Sequence, residues 1–350
     1  MKLNDLTNQT CEWLKGTGPN SNIVISSRIR LARNLNRIPF SHWANKKQKE
    51  EVLKRAREAV SSNNYTKGAL FLQMQELNNL DKQFLIERHL ISKEHALQAD
   101  HKAVVIGERE ILSIMVNEED HLRTQVMQSG FNLDGAWQII NGVDTGFGKK
   151  LSFAYSQNWG YLTACPTNTG TGLRASVMLH LPALVMTKQI NKVLQAITKL
   201  SLTARGFYGE GTEASGNFFQ ISNQVTLGHS EEDILDNIER IIKQVIGHEQ
   251  NARGTLFEQD KARIEDSIWR AFAILKNAHI ITSKEATDLF SRVRLGIDLR
   301  ILKELSISTI NKIFILIQPA HLQKIVGKAL SPQERDIKRA ELIRKELGEK

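Results

Sequence analysis

The spacing of apolar positions divides this chain into segments of two kinds. Over residues 45–62 and 81–98 apolar side chains recur at helical spacing among charges, which predicts two helices. Val104-Val105-Ile106 and residues 111–116 are short, apolar and rich in β-branched side chains, and Gly107-Glu108-Arg109-Glu110 lies between them. They predict paired strands joined by a tight turn. Further strands are predicted at 160–163, 175–181, 202–205 and 217–222, with helices at 187–199 and 231–250. The second helix opens at Ser230 with Asp233 three residues on, a capping arrangement. Runs of strands with intervening helices and hairpin-like links predict an α+β fold with a mostly antiparallel sheet flanked by helices.

After Gly254 the strand signal ceases. Residues 256–278, 283–295 and 331–347 carry helical periodicity. The last begins Ser331-Pro332-Gln333-Glu334, with an N-cap serine, proline at the first helical position and glutamate three residues after the cap. Two domains are therefore expected. Residues 1–254 form an α+β unit with a short N-terminal helical part, and residues 255–350 an all-helical unit, joined near 251–256.

Composition narrows the function classes. The chain has 350 residues, 41% hydrophobic and 24% charged, as in a globular protein with a large core rather than a disordered one. No uninterrupted apolar run exceeds five residues, as at 313–317, so no membrane span is expected. The first residues lack the charged-then-apolar order of a secretion signal, and a cytoplasmic location is expected. Two distant cysteines, Cys11 and Cys165, leave no disulfide framework and no thiolate zinc site. The net charge of +9 favours acidic partners. No zinc-finger or aromatic RNA-binding pattern accompanies it, so direct nucleic-acid binding is not expected.

The charge concentrates in an informative way. Three stretches set arginine among small residues: Ser26-Ser27-Arg28-Ile29-Arg30, Gly170-Thr171-Gly172-Leu173-Arg174-Ala175-Ser176 and Arg205-Gly206-Phe207-Tyr208-Gly209-Glu210. Small neighbours let a polyanion approach the backbone while guanidinium forks take its oxygens in pairs. A site for a highly phosphorylated ligand follows. The acidic stretch Asn117-Glu118-Glu119-Asp120-His121-Leu122-Arg123 follows a predicted strand, and Glu210 and Glu213 lie in a glycine-rich segment. Taken alone, the acidic stretch reads as a solvated turn before it reads as a site, and the Glu210 segment, a mobile loop by its glycines, stays open between the two. Facing the arginines, paired carboxylates suit a substrate that is itself a guanidinium, which they can orient and deprotonate. Cys165 reads either as a buried filler thiol or, near arginines, as a stabilised thiolate. Gly146-Phe147-Gly148-Lys149-Lys150 lacks the full phosphate-loop pattern, and no protein-kinase element is present.

Residues 165–176, with Asn117 to Arg123 and Arg205 to Glu213 in the same order, resemble the signature of the phosphagen (guanidino) kinases. The likeness runs end to end and is closest to the bacterial branch that phosphorylates arginine side chains of proteins. Small-molecule members carry a larger N-terminal helical domain, whereas here the extra material lies C-terminal. The resemblance implies that Ser26, Ser27, Arg28, Ile29 and Arg30 line an ATP site. It implies that Arg123, Arg174 and Arg205 clamp the phosphates, with Ala175, Ser176, Val177, Met178, Gly206, Phe207, Tyr208 and Gly209 beside them and His89 contacting the nucleotide. Glu119 and Glu210 are implied as the catalytic carboxylates and Cys165 as a residue against the guanidinium. Magnesium is implied to be held by the phosphates and water, with no protein metal site. Arg335-Asp336-Ile337-Lys338-Arg339-Ala340 reads either as a charged helix surface or, by the resemblance, as an allosteric phosphoarginine pocket. Implied partners are arginine-bearing protein substrates, a zinc-binding activator, a Clp-type ATPase and a heat-shock repressor, with a role in stress-linked proteolysis and a homo-oligomeric assembly. The rival expectations are a kinase for a free small guanidine and a non-enzymatic phosphoarginine-reading adaptor.

Overall fold

The structure, a computed structural model, describes residues 3–206 and 215–348. The expected site residues Phe207, Tyr208, Gly209 and Glu210 lie outside the described residues. The strands are β1 (Val24–Arg33), β2 (Leu70–Gln73), β3 (Ala103–Ile106), β4 (Leu112–Val116), β5 (Leu122–Ser129), β6 (Tyr155–Ser156), β7 (Gly160–Tyr161), β8 (Leu173–His180), β9 (Leu202–Gly206) and β10 (Phe218–Asn223). Eight of them form one sheet in the order β2-β3-β4-β5-β1-β8-β10-β9, and β6 pairs with β7 in a small hairpin. Every pairing between neighbours is antiparallel. The helices are α1 (Lys46–Ser62), α2 (Asn79–Glu87), α3 (Lys93–Ala96), α4 (Leu133–Gly148), α5 (Pro182–Met186), α6 (Ile190–Lys199), α7 (Glu231–Gln259), α8 (Lys261–Asn277), α9 (Ser283–Asp298), α10 (Ile307–Leu316), α11 (Pro319–Val326) and α12 (Pro332–Glu346).

The period of two along a strand gives the sheet two unlike faces. Ile29 and Leu31 of β1 share one face with Ala175 and Val177 of β8, Val126 of β5 and Ile221 of β10. These join Val52 and Ala56 of α1, Ile140, Val143 and Phe147 of α4, and Ile238, Ile242 and Val245 of α7 in the main core. The other face carries polar and basic side chains and supplies the candidate site. A separate core, including Ile264, Ile268, Phe290, Val293, Ile313 and Ile343, holds the C-terminal helices together. Met127, Met178 and Phe218 of the sheet pack with Trp13, Phe314 and Ile315 where α10 meets it.

The start of α12 is a capping box between Ser331 and Glu334, and that of α7 is one between Ser230 and Asp233. Helix α7 runs unbroken through residues 251–256 to Gln259. The single helix expected over 81–98 is interrupted. Arg88 turns inward to Glu110 and to the carbonyl of Gln9, and His89 takes a left-handed φ of 59°. Ser92 then caps α3 by accepting from the His95 amide. Strands β1 and β5 were not expected from the residue pattern. Among the described residues no helix is long and apolar enough to cross a membrane.

Candidate active site

Ser26, Arg28 and Arg30 project from β1 on the polar face. In register beside them on β8 stand Met178, Ser176 and Arg174, while Arg123 of β5 lies opposite Ala32. Arg205 of β9 pairs with Gln220 of β10, which pairs in turn with Met178. Five arginines from four strands thus share one face. Arg28 donates to Ser176 Oγ at 3.3 Å and to Gln220 Oε1 at 3.0 Å, and Arg174 donates to Ser222 Oγ at 3.1 Å. Burial, then the Arg123 and Arg174 charges, push the Arg28 pKa down to about 10. Burial and the Arg123, Arg28 and Arg174 charges drive that of Arg30 well down. Arg174 is lowered by burial and by Arg205 and Arg123.

Among the described residues no carboxylate pairs with Arg28, Arg30, Arg174 or Arg205, and the Nε of Arg174 has no partner. Such mutual repulsion is unfavourable until an anion with several charges enters. A cleft of about 620 Å³ opens over this face, lined by Arg28, Arg30, His89, Ser92, Arg123 and Gly206 among others. His89, edge-on to Trp13 at 5.2 Å between ring centroids, has its pKa lowered to about 3 by burial and by Arg28. It is therefore neutral and adds no charge to the clamp.

The acidic turn between β4 and β5 closes one end. Three of its four ionisable residues are committed. Glu118 accepts from Arg123 Nη1 at 2.6 and 2.7 Å and from Ser92. Burial opposes its charge, but Arg123 and Ser92 outweigh burial and its pKa is lowered. Asp120 Oδ1 accepts from Asn34 Nδ2 at 2.6 Å and from the Ala164 amide at 2.7 Å. His121 Nδ1 accepts from the Leu35 amide, so Nε2–H donates to the Pro39 carbonyl, and burial lowers its pKa. Glu119 alone is exposed. Its pKa is raised by partial burial, then by Asp120 and Glu118, while Arg123 and Arg30 act the other way. A carboxylate so poised accepts a proton more readily than an ordinary one. The Asp120 bond to Ala164 also places the next residue, half-buried Cys165, whose Sγ lies 3.0 Å from Thr167 Oγ1. Cys165 is close enough to Arg174 to oppose the lowering of its pKa.

The expected site residues sort by face. Ser26, Arg28, Arg30, His89, Arg123, Arg174, Ser176, Met178, Arg205 and Gly206 gather at the cleft or along its sheet face. Ser27, Ile29, Ala175 and Val177 do not, because alternation turns their side chains to the helix-covered face. Ser27 Oγ there donates to the Gly130 carbonyl and accepts from the Asn132 amide. Gln220, Ser222, Trp13 and Ser92 are neighbours that sequence reasoning missed. Alternation along β10 carried the signal for the first two, and none existed for Trp13.

The Arg335–Ala340 stretch lies on α12, where both of its arginines donate to carbonyls of the protein itself. Arg335 Nη1 donates to the Leu330 carbonyl at 3.1 Å. Arg339 is buried, donating to the carbonyls of Ile317 and Ile281 and pairing with Asp336. Ala340 is buried in the helical core and Ile337 is exposed, while Lys338 pairs with Glu341. Among the described residues no cluster of three or more His, Cys, Asp or Glu side chains could hold a metal.

An antiparallel sheet whose arginine face meets an exposed carboxylate fits a guanidino phosphotransferase. The family profile described as "ATP:guanido phosphotransferase, C-terminal catalytic domain" matches residues 51–252, and "Protein-arginine kinase McsB C-terminal domain" matches 261–350. A protein-arginine kinase of Halothermothrix orenii is 49% identical over 349 residues, covering 99% of this chain and 100% of the relative. One of Pelotomaculum thermopropionicum is 48% identical over 346 residues, covering 98% and 97%. The chain belongs to the protein-arginine kinase family. Among solved structures, lombricine kinase is similar at a TM-score of 0.59 with 25% identity, covering 69% of this chain and 71% of that one. A duplicated taurocyamine kinase from Schistosoma mansoni has a TM-score of 0.60 at 19% identity, covering 85% of this chain and 48% of that one, and bears on the fold alone.

Proposed function

We propose that this enzyme transfers the γ-phosphoryl group of ATP to arginine side chains of proteins, using the arginine face as clamp and Glu119 as proton acceptor. The observation that carries the reading is the row of carboxylate-free guanidiniums, Arg28, Arg30 and Arg174, beside the one uncommitted acid of the turn. A triphosphate supplies the missing negative charge. The acceptor nitrogen attacks the γ-phosphorus, an N–P bond forms and the bond to the bridging oxygen breaks. ADP leaves with that electron pair, and the guanidinium proton passes to Glu119, with Glu210 as the second expected carboxylate. The arginines neutralise charge that spreads over the equatorial oxygens. Magnesium fits as an ion carried by the phosphates and water rather than by a protein cage. Cys165 would lie against the acceptor, and neutral His89 with Trp13 would take the uncharged end of the nucleotide.

The same reading assigns residues 1–254 to catalysis and 255–350 to regulation. On α12, Asp336 would exchange Arg339 for the guanidinium of a phosphoarginine whose phosphate meets Arg335. The family resemblance supports a cytoplasmic homo-oligomer that marks proteins for Clp-type proteolysis under stress, with a zinc-binding activator, a Clp-type ATPase and a heat-shock repressor as partners. The test is to incubate the pure chain with ATP, magnesium and an unfolded protein, then map modifications by mass spectrometry at neutral pH. Phosphate on arginine, lost in Glu119→Gln, is the expected result. Phosphate on serine or tyrosine alone contradicts it.

A further inference from the structure

The turn that carries Glu119 anchors two arms of chain that end in exposed aromatic side chains. The first arm leaves β1. Leu35 donates to His121, Pro39 accepts from His121, and the chain continues into Phe40, His42 and Trp43. Their rings cluster, with 4.6 Å between the centroids of His42 and Trp43 and 6.2 Å between those of Phe40 and Trp43. The second arm is the β6–β7 hairpin. It is tied to the first by the Asn36 amide on the Ser152 carbonyl and the Ala154 amide on the Asn34 carbonyl. It is tied to the acidic turn through Asn34, which bonds both Asp120 and the Leu162 carbonyl. Tyr155 packs edge-on to Tyr161 at 5.3 Å, and Tyr161 carries the Arg33 guanidinium 3.5 Å from its ring centre.

A lone exposed aromatic residue needs no explanation. Here Trp43, Tyr155 and Trp159 are 73%, 61% and 56% exposed, and all three hang from the turn that presents Glu119. The two arms are tied to Asp120 and His121, the residues that follow Glu119, and Trp43, Tyr155 and Trp159 lie outside the hydrophobic cores. An arginine that is part of a polypeptide cannot reach that carboxylate without laying its flanking residues over the surrounding surface. Rigid aromatic side chains give contact area at small entropic cost and serve as anchors in recognition.

We propose that Trp43, Tyr155 and Trp159 form a docking rim for the extended polypeptide on either side of the acceptor arginine, favouring unfolded segments with apolar residues near that arginine. This rests on the reading of Glu119 as the acceptor-side carboxylate. The rim contributes to binding of protein substrate and nothing to ATP or to the guanidinium itself.

The experiment compares two acceptors, unfolded casein and N-acetyl-arginine methylamide, in the full-length chain carrying Trp43→Ala with Trp159→Ala. Casein kcat/KM is expected to fall about 30-fold, the size of one interface anchor, while KM for ATP and turnover of the capped arginine stay within about twofold. Trp43→Phe with Trp159→Phe should restore most of the loss, which separates ring contact from misfolding. Equal loss on both acceptors, or none on casein, overturns the rim. So does a sedimentation shift abolished by the substitutions with casein turnover unaltered, which assigns the surface to a second copy. Casein binding without ATP, followed by fluorescence anisotropy, reports on the rim even if Glu119→Gln retains full turnover and the catalytic reading fails.

Discussion

The arginines of the cleft and those at the joint with the C-terminal helices are the same residue type doing opposite things. At the joint, Arg253 binds Glu249 at 2.7 Å, Asp298 at 2.6 Å and the His180 carbonyl at 3.1 Å. Arg88 pairs with Glu110 and reaches His321 and the carbonyl of Gln9. Arg339 is shared between Asp336 and two carbonyls. All three are buried, with their donors directed into the protein. In the cleft, Arg28, Arg30 and Arg174 meet hydroxyls, an amide and one another. Where the charge is satisfied internally it holds the fold. Where it is left over it marks the place of a ligand. The same rule separates Glu118, taken by Arg123, from Glu119, which faces solvent.

The sharpest way to test this contrast is on the acidic side. Glu119→Gln should lower turnover by about 10²- to 10⁴-fold, the range for removing a general base, while leaving the urea unfolding midpoint in place. Arg253→Ala should do the reverse. It leaves the buried Glu249 carboxylate without its ion partner, held only by the Ala183 and Leu184 amides, and should cost about 3–5 kcal/mol in urea unfolding, with KM for ATP unchanged in the folded fraction. If Arg253→Ala weakens ATP binding and spares stability, the division between the two populations is wrong.

The pH dependence comes next. The Glu119 pKa is raised, and the base must be ionised, so activity should fall with acid at a higher pH than an ordinary glutamate gives. Asp120→Asn keeps the acceptor for Ala164 and Asn34 but removes one charge that raises it, so the acid limb of kcat/KM should move to lower pH. Glu118 has the opposite sign. Its folded pKa is lowered, so its contribution to stability is present above the unfolded value and lost as pH falls through the folded one. Glu118→Gln should therefore flatten the acid limb of an unfolding curve. The smallest effect tests the helical unit: Ser331→Ala removes the α12 cap and should cost about 1 kcal/mol, with turnover unchanged.

Local patterns were legible where the physics is local. The Ser331 and Ser230 caps, the hairpin of β3 and β4 and strand β10 follow from side chains and their near neighbours. The small residues around them marked the arginine stretches but not which way each side chain faces. Reading residues 26–30 as one lining segment overlooked the pleat, which sends Ser27 and Ile29 into the core and Arg28 and Arg30 to the cleft. The break near His89 was not legible, since it depends on Glu110 and His321 meeting Arg88 from distant parts of the chain. The fate of Arg339 was hidden for the same reason. One turn of helix from Arg335, it looks like half of a phosphate grip, yet its donors go to Ile317 and Ile281.

The central claim is that left-over guanidinium charge on the sheet holds a triphosphate. Calorimetric titration of ATP into the wild type and into Arg30→Ala tests it most directly. Affinity should fall by at least about tenfold, the loss of one charge-assisted contact, with the unfolding midpoint equal or higher because a repulsive charge has gone. Unchanged ATP affinity in a folded Arg30→Ala protein would contradict the account.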